Sequence, residues 1–301
     1  MPLRLLTACC LALLCVGCPL SGAYCPHGAC EPHGRCEDVE GDAVCICDEA
    51  YQPGDQVLVN GYGLSEVHNG GYSQKQRLRP DWIVRVPEGM TLFETMALGT
   101  AGYTAMLCVQ GLQDQGVKPG DGPVLVTGAA GGVGTVAISL LGSLGYEVHA
   151  STGRVEEQGD FLKGLGASAL VPRQDLARDS KPMEKELWAG VVDTVGDKVL
   201  ATAISQTKYE GVVTACGLAG GAGLPTSVMP FILRGVTLRG IDSVMASQSR
   251  RQRAWDALAQ TMNREHLAHL SKTVALSDVP ELAPKILAGE VAGRLVVDVN
   301  V

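Results

Sequence analysis

The chain has 301 residues, 46% apolar and 19% charged, with a formal net charge of −8. That length and apolar content suffice for two domains and a large core. The acidic balance argues against a nucleic-acid-binding surface, which needs clustered Lys and Arg, and the 38 glycines fit an α/β protein with many close backbone approaches.

In chain order, Arg4 and the apolar residues 5–16 precede a small-residue cut site at Ser21-Gly22-Ala23, so residues 1–23 read as a secretory signal. The stretch is too short and too cysteine-interrupted for a stable membrane span. Nine of the 11 cysteines lie between Cys9 and Cys47. Within residues 24–50, Cys25-x4-Cys30-x5-Cys36-x8-Cys45-x-Cys47 looks like the first five cysteines of an EGF-like module, a kind of domain whose small core needs disulfides. No sixth cysteine follows until Cys108, so five cannot pair among themselves, and the junction near residues 48–53 reads as a break between unrelated sequences. His27 and His33 stand nearby without the paired spacings of a zinc site, so no metal is expected.

Residues 123–134 carry the strongest signal: a short apolar strand runs into Gly128-x-x-Gly131-x-x-Gly134. A helix-like segment (135–144) and a second strand (146–150) follow. Strand, glycine turn, helix and strand form the setting in which a dinucleotide pyrophosphate is held, because glycines admit a close backbone approach and the helix N-terminus offers free N–H groups. The spacing departs from G-x-G-x-x-G, so the context rather than the motif carries the reading; the alternative is a glycine turn without a ligand. The second strand ends His149-Ala150-Ser151-Thr152-Gly153-Arg154, without the acid that bonds an NAD ribose. A hydroxyl, a glycine and a guanidinium suit a 2′-phosphate. A third strand (167–171) ends at Pro172-Arg173 and brings a second cation, so NADPH is favoured over NADH unless both arginines are ordinary surface charges.

Further strands are expected at 191–195, 211–215, 236–241 and 293–299, with helices at 197–207, 229–233 and 249–262. Strands alternating with helices imply right-handed crossovers and a doubly wound parallel sheet. Cys108 and Cys216 read as small core residues. His68 and His149 stand alone, and neither is a candidate base.

From Pro53 onward the chain resembles the zinc-free branch of the medium-chain dehydrogenase/reductase superfamily, and within it the acrylyl-CoA reductase and quinone oxidoreductase family. The resemblance rests on Gly54-Asp55-Gln56-Val57-Leu58-Val59, Gly70-Gly71-Tyr72-Ser73, the run from Leu98 to Met106, the Gly128 to Gly134 turn, Ala215-Cys216-Gly217-Leu218-Ala219-Gly220-Gly221, and the run from Leu224 to Arg234. It implies an NAD(P)-binding Rossmann domain (101–264) with an incomplete GroES-like β domain (51–100 and 265–301), in a homodimer. It also implies that Ala130, Gly131, Gly132 and Val133 meet the pyrophosphate and that Thr152, Gly153, Arg154 and Arg173 surround the 2′-phosphate. Leu218, Ile232 and Ser243 would line the nicotinamide end, and Arg294 would reach the cofactor from the tail. For Leu218 and Ile232 plain core packing is the alternative. Tyr103 and Thr104 either face the active site or only start a linking helix.

The family pattern has a longer substrate domain before the Gly-Asp-x-Val strand, where this chain carries the signal-like and cysteine-rich segments. A tyrosine expected near the reacting double bond has no counterpart here, and no residue is assigned a catalytic role. The resemblance therefore implies NADPH-dependent reduction of an activated C=C bond in a short 2-enoyl-CoA or, within the same class, of a quinone, in the cytoplasm. The other readings are a secreted EGF-like interaction protein with an inert nucleotide fold, and a fusion of unrelated pieces.

Overall fold

The computed structural model describes residues 54–301, together with the backbone of two earlier strands, Gly34–Val39 (β1) and Asp42–Cys47 (β2). β1 and β2 pair as an antiparallel hairpin in which Cys36 stands opposite Cys45. The signal-like residues 1–23 and the remainder of the cysteine-rich stretch lie outside the described residues. Met1–Gln56 and Val57–Val301 are two separate units, and the second contains the sheet and helices expected of a nucleotide-binding fold.

Two short strands, Val57–Leu58 (β3) and Val84–Arg85 (β4), pair antiparallel near the start of this second unit. Thr91 then caps a long helix, α1 (Leu92–Asp114). Its hydroxyl accepts from the Glu94 amide while the Glu94 carboxylate accepts from the Thr91 amide, a reciprocal capping box. The helix breaks at Gly99, which sits at φ 51°. By length and composition α1 could cross a membrane. In the structure it is a core helix instead, with every residue from Gly102 to Leu112 buried.

Six parallel strands form the central sheet: Val124–Val126 (β5), Val148–Thr152 (β6), Ala169–Pro172 (β7), Trp188–Asp193 (β8), Thr207–Ala215 (β9) and Thr237–Gly240 (β10). Their order is β10-β9-β8-β5-β6-β7. The chain lays strands outward from β5 on one side, returns, and lays the rest outward on the other, which is the doubly wound α/β arrangement expected from the alternating pattern. Every residue of β5 and β8 is buried, as central strands covered on both faces require. Alternation splits the side chains of β5, β8 and β9 between two cores. Val124, Val126, Val192 and Val212 pack with α1 and the helix Gly132–Ser143 (α2), while Leu125, Val191 and Val213 pack with the helix Asp197–Ser205 (α4) on the other face.

The remaining helices are Val155–Gly164 (α3), Met229–Arg234 (α5), Gln248–Thr261 (α6), Arg264–Leu270 (α7) and Val279–Leu287 (α8). The tail strand, Arg294–Asp298 (β12), pairs parallel with Ser271–Ala275 (β11) in its own small sheet. Expected and observed boundaries agree within a few residues. The largest offset at a helix start is α2, expected from residue 135 and beginning at Gly132. The glycines there have no helical preference of their own, but Thr135 ties them into the first turn through its amide and hydroxyl, both donating to the Gly131 carbonyl.

Candidate functional site: a crevice at the carboxyl ends of β5 and β8

The strand order reverses between β5 and β8, and in open α/β sheets the crevice outside the carboxyl ends at that point is where ligands bind. Beneath the crevice lies a buried polar network. The Thr127 hydroxyl donates to Asp193 Oδ1 at 2.7 Å, and Oδ2 of the same carboxylate accepts from the amides of Gly196 (2.8 Å) and Val195 (3.3 Å). Thr194 bonds back to Thr127 through both its amide and its hydroxyl, each at 3.0 Å. Burial pushes the Asp193 carboxyl above the usual carboxylate range, opposed by these donors. The network ties the end of β8 to the end of β5 and so fixes the base of the glycine turn.

The turn itself needs glycine at 128. Its φ is +59°, and a Cβ there would collide with the Thr194 hydroxyl. The Ala129 amide donates to the Ser151 carbonyl at 3.0 Å, joining the turn to β6. Gly131 then caps α2 without any side-chain acceptor, and no acidic residue stands in the first turn. The first amides of α2 therefore lack both an intrahelical partner and a capping group. Ala130 is buried, Gly131 exposed, and Gly132 and Val133 are half-buried at this opening.

Arg294 comes from β12, far along the chain, and lies against this helix start. A Cβ at Gly132 would stand 2.6 Å from its Nη1, and one at Gly99 would stand 2.9 Å from its Nη2. Its Nε donates to the Ala97 carbonyl at 2.9 Å, and burial holds its guanidinium below the usual arginine range. A desolvated cation beside the positive end of a helix dipole is electrostatically unfavourable until an anion joins them.

The predicted 2′-phosphate residues come together at the ends of β6 and β7. Thr152 pairs with Pro172 in register, and the Thr152 hydroxyl accepts from the Arg154 amide at 3.1 Å. The Arg173 guanidinium lies over Gly153, where a Cβ would be 2.9 Å from Cζ. Neither Arg154 nor Arg173 makes an ion pair among the described residues.

Leu218 and Ile232 do not belong to the core: they are 66% and 71% exposed. Leu218 follows Gly217, which packs on the Thr194 backbone, so it stands beside the end of β8. Ser243, half-buried, sits in the loop after β10. Tyr103 lies inside the protein. It is fully buried, stacked on Trp255 with ring centroids 6.0 Å apart. The Thr104 hydroxyl donates to the Thr100 carbonyl within α1. His149 stands 3.0 Å from Glu147 and edge-on to Trp188, a structural pairing. Cys108 is buried, whereas Cys216 is half-buried with its thiol bonded to the Asp193 carbonyl.

Sequence reasoning alone assigns Asp193 and Thr127 no part beyond their strands. The signal that could find them is an acid ending an otherwise apolar strand, a position tolerable only with dedicated donors.

A family profile described as zinc-binding dehydrogenase matches residues 132–260. Among the described residues no group of three or more His, Cys, Asp or Glu could hold a metal ion. The chain is 52% identical over 264 residues to acrylyl-CoA reductase AcuI of Ruegeria pomeroyi, covering 87% of this chain and 80% of that protein. It superposes on the crystal structure of YhdH from Escherichia coli K-12 with bound NADPH, with TM-score 0.82 and 47% identity over 86% of this chain and 79% of the other. It also superposes on yhfP of Bacillus subtilis with NAD bound, with TM-score 0.80 and 40% identity over 85% and 79%.

Proposed function

The chain belongs to the acrylyl-CoA reductase family of the medium-chain dehydrogenases and reductases, and we propose that it is an NADPH-dependent oxidoreductase reducing the activated C=C bond of a short 2-enoyl-CoA. The observation that carries this reading is the set of cations without acidic partners among the described residues around an uncapped helix start: Arg294 at Gly132, with Arg154 and Arg173 at the tips of β6 and β7. Three such cations spaced along one crevice suit a ligand with phosphates at separate points, as a dinucleotide 2′-phosphate has. The NAD-bound relative leaves NADH as the competing cofactor. The two tip arginines favour the phosphorylated one.

In this reading Ala130, Gly131, Gly132 and Val133 hold the pyrophosphate with backbone amides, Arg294 neutralises it, and Thr152, Gly153, Arg154 and Arg173 surround the 2′-phosphate. Leu218, Ile232 and Ser243 border the nicotinamide, the two exposed apolar side chains excluding water once a ligand covers them. When bound, NADPH supplies a hydride for the β carbon of the substrate. The Asp193–Thr127–Thr194 network keeps the crevice base rigid, so orientation is fixed before the ligand arrives. A CoA substrate and NADPH favour a cytoplasmic setting. A homodimer is the assembly expected of the family; β10 ends the described sheet, and Val228 and Met245 leave apolar surface exposed.

NADPH oxidation by the purified full chain, with acrylyl-CoA against NADH and against a quinone, tests the proposal. Turnover with NADPH and acrylyl-CoA supports it. Turnover with the quinone alone replaces the substrate class. Soluble protein that binds no dinucleotide removes the reading. The β1–β2 hairpin with Cys36 opposite Cys45 favours one second reading, a disulfide-bonded EGF-like head. Intact mass before and after reduction decides it, since an unchanged mass rules the head out.

A further inference from the structure

A buried arginine outside the phosphate-binding end of the crevice joins two distant pieces of the chain. Arg251, in α6, is fully buried, yet among the described residues it makes no ion pair, and the nearby Asp242 carboxylate only feels its charge. Carbonyl-type oxygens receive its donors instead. Nε donates to the Ala246 carbonyl at 3.0 Å, and Nη2 to the carbonyls of Val244 (2.6 Å) and Ser243 (3.4 Å). Nη1 donates to the carbonyl of Asn60 at 2.7 Å and to its side-chain oxygen at 3.2 Å. The guanidinium carbon lies 4.1 Å from the ring centre of Tyr62 and 5.4 Å from that of Tyr103. Tyr62 stacks in turn on Trp82, and Tyr103 on Trp255. Planar groups therefore stack from Trp255 to Trp82, with one cation at the centre.

The two segments that Arg251 fastens are the loop after β10, which carries Ser243, and residues 60–62, which follow β3. They also meet directly, the Tyr62 amide donating to the Val244 carbonyl at 3.0 Å. Gly61 makes that approach close. A Cβ there would stand 2.7 Å from the Val244 carbonyl and 2.9 Å from Arg251 Nη2, at a φ of +80°. A desolvated guanidinium is costly, and a fork of donors across two loops gives it geometric precision that a lysine ammonium lacks.

We propose that Arg251 is a positioning residue: it locks the Ser243 loop onto residues 60–62 and so sets the nicotinamide end of the crevice without touching the phosphate end. The inference rests on the NADPH reading. Its test compares two probes on the full chain, NADPH and 2′,5′-ADP, which has the 2′-phosphate but no nicotinamide. In Arg251→Lys, NADPH binding weakens at least about fivefold while 2′,5′-ADP stays within about twofold of the unaltered chain, since the loop borders only the nicotinamide. Equal weakening of both probes, or of neither, overturns the proposal. If Arg251→Lys does not fold, Gly61→Ala keeps the arginine and wedges the two segments apart. It should show the same NADPH-selective loss, and a ratio unchanged from the unaltered chain overturns the proposal. An unaltered chain that binds neither probe overturns the NADPH reading itself, and the positioning role with it.

Discussion

Arg154 and Arg173 reach one edge of the sheet because β6 and β7 pair with Thr152 opposite Pro172. A charge-assisted bond to phosphate contributes about 1.5–3 kcal/mol, so losing either side chain should weaken NADPH binding roughly tenfold to a hundredfold. NADH has an uncharged hydroxyl in place of the phosphate at that point, and its affinity should be nearly unchanged. Fluorescence titration of Arg154→Ala and Arg173→Ala with both nucleotides checks this, and equal losses for the two would remove the 2′-phosphate assignment. Arg294 presents opposed terms. Replacing it with Met forfeits the bond to the Ala97 carbonyl, about 1 kcal/mol, and relieves a desolvated cation at a helix N-terminus, also about 1 kcal/mol. The Tm of the ligand-free chain should therefore barely move, while dinucleotide affinity falls about tenfold or more. A large drop in Tm would mean that Arg294 acts by packing.

An acidic side chain, Glu184, braces the loop between β7 and β8. Arg178 donates to both oxygens of Glu184, at 2.7 and 2.6 Å, and the Gln206 amide adds a third bond at 3.0 Å. Chiefly through Arg178, the Glu184 pKa is lowered from 4.5 to about 2. A carboxylate with a depressed folded pKa binds fewer protons folded than unfolded. Its contribution is complete above pH 4.5 and is lost as the pH falls through about 2. Glu184→Gln should lower Tm near neutral pH and flatten its decline across that window. A parallel decline in both proteins would show that the pair contributes nothing, as many half-exposed pairs do. The glycine turn is the other decisive connection. At Gly128 even Ala meets both a positive φ and the Thr194 hydroxyl, so Gly128→Ala should cost about 2 kcal/mol or more in chemical denaturation and abolish dinucleotide binding.

All twelve candidate site residues lie within Val57–Val301, which is a compact unit apart from Met1–Gln56. Deleting residues 1–53 should leave the NADPH Kd within about twofold, measured by the same titration, because none of the binding groups and neither core is removed. A large loss would assign the front segment a part in the crevice. The central strands and the turn are legible in the sequence because their signals are local: apolar runs of strand length, glycines, and an arginine where an acid would favour NAD. Helix α1 is not, although its Thr91-x-x-Glu94 capping box stands in the sequence, because apolar residues all round a buried helix erase the period that marks an amphipathic one. The exposure of Leu218 and Ile232 is equally hidden, since an apolar side chain at a ligand site looks like any core residue until its surroundings are seen.

Fold class, the dinucleotide setting and the family are thus written in residues within a few positions of one another, where dihedral preference and side-chain period act. Other arrangements arise between residues far apart in the chain: Arg294 bonded to Ala97, Arg251 clamped on Asn60, and Thr127 locked to Asp193 across two strands. Nothing in the spacing of such partners marks them, because their contact exists only once packing has brought the segments together and excluded water from the bonds between them.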